Sequence, residues 1–186
     1  MSFIPIRAKH CVEQLNSVLE LEGDVIEFGV YKGATTFRLA KHLKDNNSNK
    51  KVFACDTFMG IPEDDTHGSC KKGDFSYSLY RFINSIKENK FTNIIIPTKG
   101  DIRKTYNKFN ESNKFCFAWL DMDIYSSTLF AVEFILPRLV KGGIVGFHDY
   151  NFEECKGVTK VVDENIDRTK YKEILNKNYC IFFKKL

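Results

Sequence analysis

Four polar residues in the second half of the chain could together carry chemistry. Asp121 and Asp123 follow one apolar run, and His148 and Asp149 follow the next. If these runs are neighbouring parallel strands, the four side chains converge at one edge of a sheet. Carboxylates side by side repel, which favours a bound cation or a shared proton. Oxygen ligands with one imidazole suit Mg²⁺ or Mn²⁺, so the cluster is a candidate metal site.

A metal in this cluster would bind two adjacent hydroxyl oxygens of a substrate and lower the pKa of one of them. Asp123 or His148 could then remove the proton, and the unperturbed pKa of an imidazole suits that task. A purely structural interpretation also exists: Ser126 or Asp123 would cap the following helix, and Asp149 would begin a turn.

A second group of residues near the N-terminus indicates a ligand with a ribose. Glu27 lies near the end of an apolar run, and Gly29 and Gly33 then open a helical pattern, which is typical of a strand, a tight turn and a helix. Glycine allows the backbone to approach a ligand that a Cβ would repel. The next apolar run ends in Asp56, where a carboxylate typically holds the two ribose hydroxyls.

The spacing of these glycines argues against a dinucleotide site. The G-x-G-x-x-G fingerprint requires glycine at position 31, and Tyr31 is there instead. An acid two residues before Gly29 fits a ligand with an amino-acid part, and S-adenosylmethionine combines such a part with a ribose. Asp101 could contact its adenine amino group or, equally, cap the next helix. The candidate cofactor-binding residues are Glu27, Gly29, Gly33, Asp56, Thr57 and Asp101.

Alternating strand and helix patterns must position these residues. Apolar runs predict strands at 24–28, 51–56, 93–97, 115–121 and 143–148, and helical periodicity predicts helices near 8–21, 34–44, 75–89, 102–109, 126–140 and 155–168. This order indicates an α/β fold with a mostly parallel, doubly wound sheet. Two last apolar runs, 171–175 and 178–184, predict an antiparallel edge hairpin, for seven strands in all. The poorly patterned stretch 59–74 would be a lid over the crevice or a plain surface loop.

Length and composition limit the classes of function that the chain can have. A chain of 186 residues suits a single domain, 1–186, and a net charge of +4 without a basic stripe does not favour nucleic acid. No apolar segment predicts a membrane span or a signal peptide. The six cysteines form no C-x-x-C pair, which favours reduced thiols and a cytoplasmic protein. A homo-oligomer is possible.

Several motifs together resemble the macrocin O-methyltransferase-like family. These motifs are E-F-G-V-Y-K-G from Glu27, D-T-F-M-G-I-P from Asp56, L-D-M-D-I-Y-S-S-T from Leu120, and H-D-Y from His148, with a further similarity near Gly157. The resemblance covers about residues 22–185. It implies a class I S-adenosylmethionine-dependent methyltransferase with a Rossmann-like fold, which uses a divalent metal to methylate a hydroxyl of a sugar or sugar-derived small molecule.

The resemblance also implies roles for individual residues. Glu27 would bind near the methionine portion of the cofactor and Asp56 its ribose. Asp121 and Asp149 would be metal ligands, and Asp123 the general base. His148 stands where that family usually has a second aspartate, so it would be a metal ligand or a catalytic residue. Two alternatives remain open: a nicotinamide-dependent oxidoreductase, and a cofactor-binding module without catalytic activity.

Overall fold

The computed structural model describes residues 6–186 and has an α/β architecture around one seven-stranded sheet. The strands lie in the order β3-β2-β1-β4-β5-β7-β6. β1 to β5 are parallel to one another, and β7 pairs antiparallel with both β5 and β6. The strands are β1 Asp24–Phe28, β2 Val52–Asp56, β3 Ile95–Lys99, β4 Phe115–Leu120, β5 Leu139–Phe147, β6 Tyr171–Lys177 and β7 Cys180–Lys185.

Six α-helices flank the sheet. They are α1 Ile6–Asn16, α2 Ala34–Asp45, α3 Leu79–Glu88, α4 Ile102–Thr105, α5 Tyr125–Ile135 and α6 Lys156–Asn165. Short 3₁₀ turns follow α4 and precede α6. None of the helices in the described part of the chain is both long and apolar enough to cross a membrane.

The predicted fold class is confirmed, and the deviations concern element ends. α3 begins four residues later than predicted, at Leu79, and β3 is displaced by two residues toward the C-terminus. The predicted helix at 126–140 ends at Ile135, since Pro137 cannot continue the backbone hydrogen bonding of a helix. β5 therefore begins at Leu139, four residues earlier than predicted. The C-terminal hairpin turns at Asn178 and Tyr179, whose φ values of 56° and 58° suit a tight two-residue turn.

Hydrophobic clusters on both faces make the sheet rigid. α1, α2 and α3 cover one face, around the buried side chains of Leu39 and Phe82, and α4, α5 and α6 cover the other, around Val132 and Val161. β4 is buried along its whole length. All six cysteines are buried and free, in keeping with the reduced thiols expected from the sequence. The carboxyl ends of the five parallel strands are thus held in fixed positions.

Candidate active site

A cavity of about 300 Å³ opens at the carboxyl ends of the parallel strands. Residues that follow each of the strands β1 to β5 contribute to its walls. All the site residues predicted from the sequence line it except Gly33, namely Glu27, Gly29, Asp56, Thr57, Asp101, Asp121, Asp123, His148 and Asp149. The fold therefore brings two predicted groups into a single cavity: the candidate cofactor-binding residues and the carboxylate cluster.

Both predicted glycines are required by packing within the chain. Gly29 has a φ of 81°, and a Cβ there would lie 1.7 Å from the carbonyl oxygen of Asp121. Gly33 has a φ of 84°, and a Cβ there would lie 2.7 Å from the rings of Phe37 and Phe82. Gly29 lets the turn after β1 pass directly against β4, whereas Gly33 precedes α2 and faces aromatic side chains rather than the cavity.

Glu27 is a buried acid in the floor of the cavity. It is 1% exposed, and the hydroxyl of Thr36 donates a hydrogen bond of 2.5 Å to its Oε2. Burial raises the pKa of Glu27 to about 8, against the smaller opposing effect of the Thr36 hydrogen bond. Without a cationic ligand nearby, this carboxyl group holds a proton at neutral pH.

Asp56 organises the two loops that follow β1 and β2. Its Oδ2 accepts hydrogen bonds of 2.8 Å from the N–H groups of both Val30 and Tyr31, and its Oδ1 accepts one of 2.6 Å from that of Phe58. A carboxylate has about four acceptor positions, so capacity remains for a ligand hydroxyl. The hydroxyl of Thr57 donates to the carbonyl oxygen of Gly60 at 2.7 Å, which fixes the next turn.

Asp101 caps α4, one of the two roles left open by the sequence. Its Oδ1 accepts the N–H of Arg103 at 3.0 Å, and its Oδ2 lies 2.7 Å from Nη2 of the same arginine. Arg103 also contacts Glu63 at 2.8 Å. Arg103 is therefore not a freely solvated charge, because two carboxylates from different loops pair with it. The Asp101 carboxylate is part of the cavity wall, and Arg103 already occupies most of its hydrogen-bond acceptor positions.

The carboxylate cluster forms because β4 and β5 are neighbours, as predicted. Nδ1 of His148 lies 3.1 Å from Oδ1 of Asp121 and 2.7 Å from Oδ1 of Asp149. Asp123 and Asp149 have φ values of 63° and 60°. Left-handed backbone is uncommon for residues other than glycine, although aspartate tolerates it better than most, and it is concentrated at functional sites. Tyr31 and Phe58, which follow β1 and β2, share this conformation at the same edge of the sheet.

Mutual charges shift the pKa values in the cluster. Burial disfavours the charged form of His148, but the carboxylates of Asp121 and Asp149 outweigh it and raise the pKa of His148 to about 10. Burial likewise opposes ionisation of Asp121, whose pKa is nevertheless lowered by His148. Burial and the neighbouring carboxylates of Asp121 and Asp149 raise the pKa of Asp123 well above its ordinary range. The cluster thus places an imidazolium between two carboxylates, beside a third acid whose ionisation is disfavoured by burial and by those carboxylates.

The loop after β2 is docked over the cavity by contacts that the sequence did not reveal. Oδ1 of the buried Asp65 accepts the N–H of Tyr125 at 3.3 Å and so caps α5 from outside the helix. Neither Ser126 nor Asp123 caps that helix by a side-chain hydrogen bond. The N–H of Ser69 donates to the carbonyl oxygen of Glu154 at 3.0 Å, beyond β5. Partners so far apart in sequence leave no local pattern.

Comparison with known proteins identifies similar chains. An O-methyltransferase from Streptomyces olivaceus, named 8-demethyl-8-(2,3-dimethoxy-alpha-L-rhamnosyl)-tetracenomycin-C 4'-O-methyltransferase, is 25% identical over 168 residues, which are 80% of this chain and 60% of that protein. The demethyldecarbamoylnovobiocin O-methyltransferase of Streptomyces niveus is 24% identical over 179 residues, which are 84% of this chain and 62% of that protein. The chain thus spans about three fifths of the length of these curated relatives.

A solved structure shares the fold over a larger part of its length. The structure of CalS11, a calicheamicin methyltransferase, matches with a TM-score of 0.81 at 21% identity and covers 96% of this chain and 78% of that chain. The family model described as "Methyltransferase domain" matches residues 26–150, more than half of the sequence. The matched region begins in β1 and ends just beyond His148 and Asp149, so it includes both halves of the cavity. The chain belongs to this methyltransferase-domain family.

Proposed function

We propose that the chain is an S-adenosylmethionine-dependent O-methyltransferase that methylates a hydroxyl of a sugar or sugar-derived small molecule. One observation carries this proposal: Asp56 and the glycine loop line the same cavity as the carboxylate cluster. One part of that cavity suits the nucleoside of a cofactor, and the adjoining part suits a hydroxyl group that must lose a proton. The two curated relatives, both O-methyltransferases and one named for a rhamnosyl substrate, support the same chemistry.

The residues of the cluster fit a divalent metal. Two ligand atoms at right angles, each about 2.1 Å from an ion, lie about 3 Å apart. The separations of Nδ1 of His148 from the oxygens of Asp121 and Asp149, 3.1 and 2.7 Å, are close to that value. One imidazole among carboxylates favours Mn²⁺ or another first-row metal over Mg²⁺. His148 must release its proton to become a ligand, so metal binding is coupled to deprotonation.

The proposed reaction uses the chain's own residues as follows. Asp56 holds the ribose, and the turn at Gly29 positions the methionine part so that the methyl group points toward the carboxylate cluster. Asp123 accepts the proton of the acceptor hydroxyl after it has itself ionised. A cation on the neighbouring carboxylates would favour that ionisation, because it would offset the charges of Asp121 and Asp149 that raise the pKa of Asp123. A divalent cation on Asp121, His148 and Asp149 would supply a Lewis acid that lowers the pKa of that hydroxyl. The rigid sheet edge aligns the oxygen with the methyl group, and such alignment supplies much of the rate.

His148 is a weaker candidate for the base in the metal-free protein. With its pKa raised to about 10, the imidazole already carries a proton at neutral pH. We therefore assign His148 to charge balance and metal binding, and Asp123 to proton removal. The loop 59–74, docked on α5 and on the segment after β5, would cover the acceptor and exclude water from the reaction.

Two linked measurements test the proposal. Calorimetric titration with S-adenosylmethionine and, separately, NAD⁺ should give binding of the first only. Transfer of a labelled methyl group from S-adenosylmethionine should then occur to rhamnosides with free hydroxyls, and not to matched rhamnosides in which every hydroxyl is already methylated.

Each failure has a distinct meaning. Binding of NAD⁺ alone would replace the proposal by the oxidoreductase alternative. Binding of S-adenosylmethionine without transfer to any hydroxylated acceptor, with or without Mn²⁺, would favour a cofactor-binding module. If the protein is folded by circular dichroism and binds neither cofactor, the assignment of Asp56 to a ribose is wrong.

A further inference from the structure

Arg7 lines the cavity, although no predicted motif contains it. It lies in α1, and its Nε is 3.6 Å from Oδ2 of Asp121, beyond hydrogen-bond distance. That Nε is shielded from solvent and has no hydrogen-bond partner among residues 6–186. A shielded donor without a partner is costly, typically by about 1–3 kcal/mol, so Arg7 is suited to a ligand that accepts a hydrogen bond.

Asp121 forms an ion pair with Arg7 but does not satisfy its Nε with a hydrogen bond. Its Oδ1 already pairs with His148 at 3.1 Å, and its Oδ2 stays too far from Arg7 for a hydrogen bond. A guanidinium presents a planar fork of donors that matches a carboxylate with two parallel bonds. The Nε of Arg7, shielded and without a hydrogen-bond partner among residues 6–186, therefore points to an anionic group with two oxygens in the cavity.

The strand order indicates which part of the cofactor reaches Arg7. Asp56 ends β2, which lies between β3 on one side and β1 followed by β4 on the other. If the ribose binds at Asp56, the amino-acid part must extend over β1 and β4 for the methyl group to reach the carboxylate cluster. Glu27 at the end of β1 suits the ammonium of that part. Arg7, next to Asp121, is the complementary cation at the same end of the cavity.

We propose that Arg7 binds the α-carboxylate of the methionine part of S-adenosylmethionine and thereby selects the intact cofactor. This inference rests on the proposed function, because it presumes that S-adenosylmethionine occupies the cavity. Arg7 and Glu27 then recognise the two opposite charges of the amino acid. Recognition of both charges fixes the direction of the sulfonium, since rotation of the amino acid would place like charges together.

Lys32 is the competing cation and provides a matched control. It also lines the cavity, but its Nζ lies over the ring of Tyr31, 4.9 Å from the centroid. This cation–π contact gives the ammonium a partner that the Nε of Arg7 lacks. Lys32→Gln removes one positive charge from the cavity wall, as Arg7→Gln does, and so separates a specific contact from general electrostatics.

The test is calorimetric binding of two ligands in the presence of a chelator and without acceptor. The ligands are S-adenosylmethionine and its decarboxylated analogue, which has the same sulfonium and adenosine but no carboxylate. The unsubstituted protein should bind S-adenosylmethionine about 10- to 100-fold more tightly than the analogue, the range of a charge-assisted bidentate contact. Arg7→Gln should lose that preference by weakening only S-adenosylmethionine, and Arg7→Lys should lose part of it.

Lys32→Gln should keep the preference within about twofold, which is small beside the expected effect. Equal weakening of both ligands by Arg7→Gln, or loss of the preference in Lys32→Gln instead, would overturn the assignment to Arg7. Binding of both ligands with equal affinity by the unsubstituted protein would also overturn it while leaving the proposed function intact. Binding of neither ligand by folded protein would refute the proposed function itself. Circular dichroism of each variant establishes that the fold is retained.

Discussion

Glu27→Gln should make the stability of the ligand-free protein less dependent on pH. Burial raises the pKa of Glu27 to about 8 in the folded chain, whereas the ordinary value of 4.5 applies after unfolding. Between these values the folded state binds the proton and the unfolded state releases it. Rising pH therefore favours unfolding, so the stabilisation is present below pH 4.5 and is lost by about pH 8.

The size of the effect follows from the two pKa values. Each pH unit between them lowers the free energy of unfolding by up to about 1.4 kcal/mol. From pH 5 to pH 7 the loss due to Glu27 is about 3 kcal/mol, a large part of the stability of an ordinary domain. Glutamine has nearly the same shape, accepts the hydrogen bond of Thr36 and has no proton to release, so it avoids this loss.

Urea unfolding at pH 5, 6, 7 and 8 measures the difference, with the fluorescence of Trp119 as the probe. Trp119 is the single tryptophan and is fully buried in β4. The stability of Glu27→Gln relative to the unsubstituted protein should rise by about 3 kcal/mol between pH 5 and pH 7. The same substitution at the exposed Glu133 should give a constant difference. A constant difference for Glu27→Gln would refute the claim that the buried acid keeps its proton.

Three further predictions concern the same cavity. Asp123→Asn should lower kcat at least about 100-fold while S-adenosylmethionine affinity in calorimetry stays within about threefold; an equal loss of affinity contradicts its role as the base. Chelation should reduce methyl transfer, and Mn²⁺ should restore it better than Mg²⁺ because one candidate ligand is an imidazole; full activity in metal-free protein argues against metal assistance. In thermal unfolding, Gly29→Ala should destabilise the protein by more than about 3 kcal/mol, since its Cβ would overlap the Asp121 carbonyl oxygen. Gly73→Ala, with a similar φ but no atom within 4 Å, should cost only about 1–2 kcal/mol, and equal losses would contradict the steric argument.

The sequence alone determined the fold class and most of the candidate residues that line the cavity, because both follow from local patterns. Period-two and helical apolar runs fix the type of each element, and polar residues directly after apolar runs mark the carboxyl ends of strands. Asp56, Asp121 and His148 were placed at the carboxyl ends of strands in this way and do line the cavity, and the adjacency of β4 and β5 was correctly expected. The element ends were less accurate, as at Leu79 and Leu139, because capping and packing decide the last turn of a helix.

Only the tertiary structure decided how those residues are charged and what surrounds them. The buried proton of Glu27 and the raised pKa of His148 arise from desolvation and from charges on other strands. The cap that Asp65 gives to α5, and the approach of Arg7 to Asp121, join segments that are 60 and 114 residues apart. Desolvation and long-range contacts depend on which surfaces meet after folding, and a local sequence pattern contains no record of them.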